Sequence, residues 1–306
     1  MQKYSIFNLI KNAFSNHEKW DLAWKDPTPK KEYDVVIIGG GGHGLATAYY
    51  LAKEHNITNV AIIEKGWIGG GNVGRNTTII RSNYMHDDNA LFSEFGMDLW
   101  RKMSQDLNYN VMFSPRGIIN LAHSDAQMNV YARRGNSMRL NGIDAVLLNR
   151  EQVKEIIPMA DFSENVRFPI FGGLMQPSAG TARHDAVAWG YARQADSMGV
   201  DIIQNCEVTG FDVSGGKIAG VRTSRGNIKV KKIGLCVAGS TNILAEKLNM
   251  TLPVETHLLQ ACVSEPVKPV LDRVVTFGAG HFYISQSDKG EMVMGGDLDG
   301  YNSYAQ

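Results

Sequence analysis

The sequence predicts an α/β fold in which a parallel-sheet domain is interleaved with an α+β domain containing a mostly antiparallel sheet. Residues 35–38 and 60–63 are continuous apolar runs, typical of strands buried on both faces of a parallel sheet. Similar runs recur at 200–203 and 233–238, after a long stretch of different character. The segments that follow Pro253 alternate in polarity, as half-exposed antiparallel strands do.

Apolar periodicity assigns the elements in chain order. Residues 88–107 read as a helix because Leu91, Phe95, Leu99 and Met103 lie four apart on one face. The predicted elements are a strand at 35–38, a helix at 43–54, a strand at 60–63, a helix at 88–107, a strand-like stretch at 111–121, a helix at 184–198, a strand at 200–203, turn-rich β structure at 206–231, a strand at 233–238, and antiparallel segments at 254–264, 274–285 and 291–296.

The two kinds of pattern alternate along the chain, which predicts discontinuous domains. We expect an N-terminal extension and linker at 1–32. A nucleotide-binding domain is expected from 33–108 and 183–250, and a substrate domain from 109–182 and 251–306. Phe7, Ile10 and Phe14 within the extension suggest a short amphipathic helix that docks on this protein or on a partner.

Length and composition exclude several functional classes. The 306 residues suffice for about two domains, and a 43% hydrophobic content excludes a disordered chain. Lys plus Arg and Asp plus Glu each number 31, so no net charge attracts nucleic acid or an anionic membrane. No uncharged apolar run is long enough to span a bilayer. We therefore expect no nucleic-acid partner and no membrane association.

The three cysteines, Cys206, Cys236 and Cys262, form no C-x-x-C pair. This pattern favours neither a disulfide framework nor a cysteine-based zinc site. We expect no metal site, and free thiols suit a cytoplasmic location.

A glycine motif follows the first strand and opens the first long helix. Gly39, Gly41 and Gly44 have the spacing G-x-G-x-x-G, which permits a tight turn and close approach of a pyrophosphate. Glu64 ends the second strand 20 residues after Gly44, where an acid accepts hydrogen bonds from ribose hydroxyls. The sequence therefore predicts an adenine dinucleotide site.

The choice between FAD and NAD stays open on this motif alone. Five further glycines, at positions 66, 69, 70, 71 and 74, follow Glu64. Such a stretch can wrap around an embedded flavin, but composition alone does not distinguish it from a flexible loop.

Longer segments resemble the β subunits of the heterotetrameric sarcosine oxidase family. The resemblance extends over the whole chain and is carried by 39–50 (GGGGHGLATAYY), 64–67 (EKGW), 71–84 (GNVGRNTTIIRSNY), 179–189 (AGTARHDAVAW), 200–211 (VDIIQNCEVTGF), 257–265 and 289–297. It implies a D-amino-acid-oxidase-like amine oxidoreductase whose FAD-binding domain is Rossmann-like, of the glutathione-reductase type.

The resemblance also implies a reaction and its cofactors. The family oxidises sarcosine to glycine in a complex of α, β, γ and δ subunits. In the β subunit, noncovalent FAD takes a hydride equivalent from the substrate, and electrons pass to a covalent FMN and then to oxygen. The one-carbon unit reaches tetrahydrofolate on the α subunit, giving 5,10-methylenetetrahydrofolate.

Site residues follow by matching positions. Arg81 matches an arginine that binds the substrate carboxylate in related amine oxidases. His184 matches the histidine that carries FMN, and Arg183 stands beside it where a lysine is often expected, as a partner for a phosphate. The FAD-binding residues are Gly39, Gly41, Gly42, His43, Gly44, Glu64, Asn72, Thr77, Thr78, Ile79 and Val208.

Other readings share some of these features. A dimethylglycine-dehydrogenase-like or glycine-oxidase-like enzyme would share the FAD site, and a NAD-dependent dehydrogenase would share the glycine motif. A non-catalytic flavin-carrying subunit is a further alternative. Because family members continue past the position of Gln306, we expect the chain to be truncated at its C-terminus, with an incomplete substrate domain.

Overall fold

The structure is a computed structural model that describes residues 5–18, 22–163 and 165–302. It divides into two compact units, each assembled from two segments of the chain. Among the described residues, the first unit contains those up to Arg75 and His184–Glu255, and the second contains Asn76–Arg183 and those from Thr256. The units divide at 75/76, 183/184 and 255/256, whereas the predicted functional domains divide at 108/109, 182/183 and 250/251. The last four residues, where we expect truncation, lie outside the described residues.

Helices and strands occur in both units. The helices are α1 (Ile6–Phe14), α2 (Gly42–His55), α3 (Asp87–Asp106), α4 (Asp125–Leu140), α5 (Arg150–Ile156), α6 (His184–Ser197) and α7 (Thr241–Glu246), with 3-10 turns at Asn72–Arg75 and Ala238–Ser240. The strands are β1 (Glu32–Ile38), β2 (Val60–Ile63), β3 (Ile79–Ile80), β4 (Ile118–Ala122), β5 (Val146–Asn149), β6 (Gly172–Gln176), β7 (Gly180–Thr181), β8 (Asp201–Ile203), β9 (Val208–Ser214), β10 (Lys217–Thr223), β11 (Gly226–Leu235), β12 (His257–Pro266), β13 (Val274–Phe277), β14 (Phe282–Gln286) and β15 (Glu291–Asn302).

A six-stranded sheet of order β8-β2-β1-β11-β10-β9 forms the centre of the first unit. Strands β8, β2, β1 and β11 are parallel, and β10 and β9 continue the sheet as antiparallel hairpins. All four residues of β2 and the apolar residues of β1 except the half-buried Val35 are buried, as expected for parallel strands that helices cover. Ile38, at the carboxyl end of β1, pairs with Ile63 and Leu235, so three strand ends meet beside the glycine turn.

The second unit contains a seven-stranded sheet of order β12-β15-β14-β13-β4-β6-β5. Its neighbouring strands are antiparallel except for β13 and β4, which are parallel. A short pair, β3 and β7, forms a separate sheet. The two main sheets confirm the predicted α/β class, with a parallel-sheet unit interleaved with a mostly antiparallel one.

Several local predictions differ from the structure. The strand-like stretch at 111–121 is a strand only at Ile118–Ala122, and 274–285 is two strands joined by a turn rather than one segment. Helices α4 and α5 were not predicted, although both carry N-cap signals. The Ser124 side chain accepts from the Gln127 N–H, and Asn149 forms a capping box with Gln152.

Two helices present apolar side chains to solvent. Helix α1 confirms the predicted amphipathic helix, but none of its residues is buried. In α3 the apolar face read from the sequence is largely solvent-facing, since Leu91 is 54% and Phe95 is 64% exposed. The buried apolar residues of α3 are instead Ala90, Met97 and Met103.

Candidate functional site

The glycine turn between β1 and α2 is held by two close backbone approaches. Gly39 has a φ of +106°, and a Cβ at this position would overlap the carbonyl oxygen of Cys236 at the end of β11. A Cβ on Gly44 would overlap the carbonyl oxygen of Gly39. Both residues must therefore be glycine for the turn to pack against the sheet.

Gly41 lacks such a protein contact. A Cβ built on it would meet no heavy atom within 4 Å. Gly41 is the N-cap of α2 and provides no side-chain cap, so the first N–H groups of the helix are available to an external acceptor. Open space at a glycine, together with the positive end of a helix, fits the pyrophosphate of a dinucleotide.

Glu64 lies just after β2 and accepts hydrogen bonds from two loops, the glycine turn and the segment that follows Glu64 itself. One carboxylate oxygen accepts from the Gly40 N–H at 2.7 Å, and the other accepts from the Gly66 N–H at 2.8 Å. A carboxylate has about four acceptor positions, so each oxygen keeps a lone pair for a ribose hydroxyl. The geometry is compatible with the ribose-binding role predicted for Glu64.

The glycine-rich stretch after Glu64 folds back beside the start of α2. Gly69 has a φ of +82°, and a Cβ on Gly74 would overlap its carbonyl oxygen. Val73, within the 3-10 turn Asn72–Arg75, lies 3.6 Å from the Cβ position of Gly42. Asn72 is therefore on a turn that packs against the first residues of α2. Composition alone did not distinguish this stretch from a flexible loop, whereas the structure shows an ordered turn.

Val208 and His43 complete the predicted dinucleotide residues of the first unit. Val208 begins β9 and is buried, in the same apolar cluster as Ile38 and Ile63. His43 is exposed in the first turn of α2. Next to this site, burial raises the pKa of the Cys236 thiol.

Thr77, Thr78 and Ile79 belong to the second unit. Thr78 has a φ of +55°, an unusual conformation for a β-branched residue, and its N–H donates to Asn76 Oδ1 at 2.6 Å. The Thr78 carbonyl accepts from the N–H of Ala182, and Ile79 pairs with Thr181. Backbone strain of this kind is concentrated at functional sites, which makes the segment a candidate contact.

Arg81 follows β3 and is half-buried in the second unit. Its Nη1 donates to Asn83 Oδ1 at 2.7 Å, and its guanidinium lies 4.5 Å from the centre of the Tyr84 ring. No ion pair between Arg81 and a carboxylate occurs within the described part of the chain. The guanidinium retains donors for an anionic ligand.

A buried polar network that the sequence analysis missed surrounds Arg81. Ser82, Asn83 and Gln176 are each fully buried. Gln176 accepts from the Ser82 N–H at 3.0 Å and donates to its hydroxyl oxygen at 2.7 Å, while that hydroxyl donates to Glu94 at 2.6 Å. The only sequence signal was the polar run Arg81, Ser82 and Asn83 between apolar segments, which does not indicate burial.

Arg183 is the last residue of its segment in the second unit, and His184 is the first residue of the next segment, in the first unit. His184 is half-buried and is the first residue of α6, and Asp185 accepts from the Ala186 N–H at 2.8 Å. Arg183 Nη1 lies 3.4 Å from Asp288 Oδ2. The guanidinium expected to meet a phosphate thus pairs with an exposed carboxylate, which a phosphate would have to displace.

Neither a metal cluster nor a membrane-spanning helix was found in the described ranges. Within these ranges, no three His, Cys, Asp or Glu side chains are grouped as a metal would require. No helix there combines the length and the apolar character needed to cross a bilayer.

Comparison with known proteins identifies relatives that match along nearly the whole chain. The family described as FAD dependent oxidoreductase matches residues 34–305. A protein of Rhizobium meliloti named sarcosine oxidase subunit beta is 60% identical over 304 residues, which cover 99% of this chain and 73% of the relative. Its namesake from Rhodobacter capsulatus is 52% identical over 306 residues, covering 100% of this chain and 74% of the relative.

Solved structures share the fold. The crystal structure of L-proline dehydrogenase from P. horikoshii superimposes with a TM-score of 0.82 at 26% sequence identity, covering 91% of this chain and 72% of that one. Glycine oxidase from Bacillus cereus superimposes with a TM-score of 0.73 at 22% identity, covering 87% of this chain and 71% of that one.

Proposed function

We propose that this chain, which belongs to the family of FAD-dependent oxidoreductases and within it to the sarcosine oxidase β subunits, oxidises sarcosine to glycine as one subunit of a heterotetramer. The observation that carries the proposal is the 60% identity to a sarcosine oxidase subunit beta over 304 residues. Flavin-dependent amine oxidation is the general reaction of such enzymes, and the dinucleotide turn of the first unit has the geometry that flavin binding requires.

FAD is assigned to the glycine turn and to Glu64. The α2 N-terminus at Gly41 and Gly42 receives the pyrophosphate, and Glu64 accepts from the ribose while it fastens the two flanking loops. The remaining proposed FAD contacts are His43, Asn72, Thr77, Thr78, Ile79 and Val208. Bound FAD supplies the hydride acceptor for the C–H bond of the substrate.

Arg81 is assigned to the substrate carboxylate. Its guanidinium contacts the neutral Asn83 amide and the Tyr84 ring, and no carboxylate of the described ranges compensates its positive charge through an ion pair. A planar guanidinium fork suits a carboxylate, because two parallel N–H donors meet its two oxygens. Arg81 thereby orients the amino acid and takes no part in proton transfer.

A second flavin, FMN, is assigned covalently to His184, with Arg183 as the partner of its phosphate. The start of α6 provides a helix N-terminus beside the imidazole, which favours an anionic group. This assignment belongs to a larger scheme with oxygen as the electron acceptor, α, γ and δ subunits as partners, and tetrahydrofolate on α as the one-carbon acceptor. The scheme places the protein in sarcosine catabolism, in the cytoplasm.

Acid precipitation tests the FMN assignment. The chain co-expressed with its partner subunits is precipitated with acid, and flavin fluorescence is measured in the pellet and in the supernatant. We expect FAD in the supernatant and one flavin that remains with the chain, because a covalent bond survives denaturation. His184→Ala is expected to lose the pellet fluorescence and to retain extractable FAD.

Two results would contradict the scheme. If the wild-type pellet carries no flavin, the covalent attachment is wrong. If the flavin absorbance of the wild-type protein does not bleach when sarcosine is added anaerobically, the proposed substrate is wrong whatever the state of His184. His55→Ala, in the last turn of α2, is the matched control and should keep the bound flavin.

A further inference from the structure

Asn83 uses its side chain and its backbone carbonyl at the same time. The fully buried side chain accepts from Arg81 Nη1 through Oδ1 at 2.7 Å and donates from Nδ2 to Asn120 Oδ1, also at 2.7 Å. Its backbone carbonyl accepts from Nε of Arg134 at 2.6 Å and from Nη2 of the same residue. Every one of these partners belongs to the second unit.

The network is anchored in the seven-stranded sheet. Asn120 lies in β4, and its Nδ2 donates to Thr276 Oγ1 in the neighbouring strand β13 at 2.5 Å. Because the Asn120 amide nitrogen faces Thr276, its oxygen faces Asn83 Nδ2. This orientation leaves Asn83 Oδ1 directed at Arg81, so the sheet determines which end of the Asn83 amide the guanidinium meets.

The acceptor that holds Arg81 is neutral. A carboxylate at the same place would form an ion pair with Arg81 and compensate its charge, whereas an amide oxygen orients the guanidinium without doing so. Glu94, the carboxylate that reaches the neighbouring Ser82, is itself paired with Arg101 at 3.0 Å.

A second uncompensated guanidinium lies nearby. Among the described residues, Arg134 forms no ion pair with a carboxylate, and its guanidinium donates to the Asn83 carbonyl. Burial lowers the pKa of Arg134, and the charge of Arg81 lowers it further. Two cations held close together by neutral acceptors are stabilised when an anion binds.

We infer that Asn83 and Arg134 are positioning residues that keep the guanidinium of Arg81 oriented and uncompensated for the carboxylate of the substrate. Arg134 clamps the Asn83 backbone with two N–H donors, and Asn83 directs Arg81 with its side-chain oxygen. The inference rests on the proposed function, because the anion in question is the carboxylate of sarcosine.

Asn83→Asp tests the need for a neutral acceptor in the flavin-loaded complex. The variant is nearly isosteric but introduces a carboxylate beside Arg81. We expect the KM for sarcosine to rise about tenfold or more, with kcat within about twofold, because carboxylate binding is lost equally from the ground and transition states. Acetate, titrated against the flavin spectrum, should lose affinity in the same proportion.

Arg134→Met tests the clamp. Loss of both donors to the Asn83 carbonyl should raise the KM several-fold, and Arg134→Lys, which keeps one donor, should restore part of the affinity. Arg133→Met is the matched control, since Arg133 is the exposed neighbour on the same helix, and its KM should equal that of the wild type.

A double variant separates positioning from general stability. If Arg134 acts through Asn83 on Arg81, the combination of Arg134→Met with Arg81→Met should bind sarcosine no more weakly than Arg81→Met alone, because there is no longer a guanidinium to orient. Additive losses would overturn the inference, and so would wild-type KM and acetate affinity in both Asn83→Asp and Arg134→Met. If Asn83→Asp fails to fold, the Arg134 series against the Arg133 control decides.

The outcomes for the inference and for the proposed function are distinct. A wild-type complex whose flavin does not respond to sarcosine contradicts the proposed function. A responsive wild type in which Arg81→Met weakens binding, but the Asn83 and Arg134 variants do not, contradicts this inference alone.

Discussion

The glycines of the dinucleotide turn are needed for different reasons. Gly39 and Gly44 are required by the protein itself, because a Cβ at either position would overlap backbone atoms. Gly41 meets no protein atom in the space where its Cβ would lie, so packing does not require its small size, and we propose that the pyrophosphate does. The three positions of one motif thus separate into two with a folding role and one with a proposed binding role.

Substitution of these glycines gives a matched pair of variants. Gly41→Ala should lower the stability of the apoprotein by less than about 1 kcal/mol, because its φ of −81° is open to alanine and alanine is only a poorer N-cap than glycine, while FAD affinity falls about tenfold or more. Gly44→Ala should lower the stability of the apoprotein by about 1–3 kcal/mol, because the backbone must move. Calorimetry of the apoproteins and fluorescence titration with FAD measure the two effects.

One outcome for each variant would contradict the role given to its glycine. Equal FAD affinity in Gly41→Ala and wild type would contradict the location of the pyrophosphate at the α2 N-terminus. A Gly44→Ala variant as stable as the wild type would contradict the backbone contact with Gly39.

At the residue scale, sequence patterns predicted the glycine turn and the position of Glu64 after the second strand, but not the neighbours of Arg81. The turn and Glu64 belong to one local unit, since its strands, turn and helix follow one another within about thirty residues. Asn83 meets Asn120 and Arg134, and Ser82 meets Gln176, across large separations along the chain. Single-sequence patterns do not contain such pairings.

Helix α3 shows how an element can be predicted correctly while its orientation is not. The four-residue spacing of Leu91, Phe95, Leu99 and Met103 indicated a helix, and the helix is present. Only Met103 of these four is buried, while Leu91 and Phe95 are exposed. Periodicity reports the helical repeat, whereas the elements packed against the helix decide which face is covered.

Truncations on the two sides of α3 should therefore differ in cost. Met97→Ala is expected to lower the free energy of unfolding by about 2–4 kcal/mol, because it leaves a cavity in a buried site. Phe95→Ala should change it by less than about 1 kcal/mol in the isolated chain, since that side chain is 64% exposed. Urea unfolding of the two variants provides the comparison, and a larger loss in Phe95→Ala would show that its side chain is covered in solution.

Helices α4 and α5 were missed because their apolar patterns are weak. α4 buries only Gly135 and Met138, and α5 buries only Val153. Their N-caps, Ser124 with Gln127 and Asn149 with Gln152, were the usable signals. Capping satisfies the first N–H groups of a helix whatever its face packs against, so it remains readable where periodicity is not.

Over the whole molecule, both main sheets combine strands from distant parts of the chain. Strands β1 and β2 pair with β11 and β8, and β4 pairs with β13 and β6. Neither half of the chain contains a complete sheet, and a strand pair without its neighbours is at best marginally stable.

Cutting the chain in the exposed loop that contains Met159 tests this interdependence. Fragments 1–159 and 160–306, each produced alone, should lack cooperative unfolding by circular dichroism, because each has lost the central partners of its strands. Co-expression of the two should restore the sheet signal and FAD binding. Cooperative unfolding of fragment 1–159 alone would contradict this expectation, and the uncut chain provides the reference.

The sequence by itself determined the α/β class, the dinucleotide turn and the family, because these depend on local patterns and on long segments shared with relatives. Tertiary structure alone decided three further features: the solvent-facing side of α3, the pairing of Arg183 with Asp288, and the neutral network that holds Arg81. The network around Arg81 depends on Asn120, Arg134 and Gln176, which lie 37 to 94 residues from the residues that they bond, and Arg183 meets Asp288 from the other segment of the second unit. The physical reason is that burial and charge compensation depend on which residues are neighbours in space, and a single sequence does not show those neighbours.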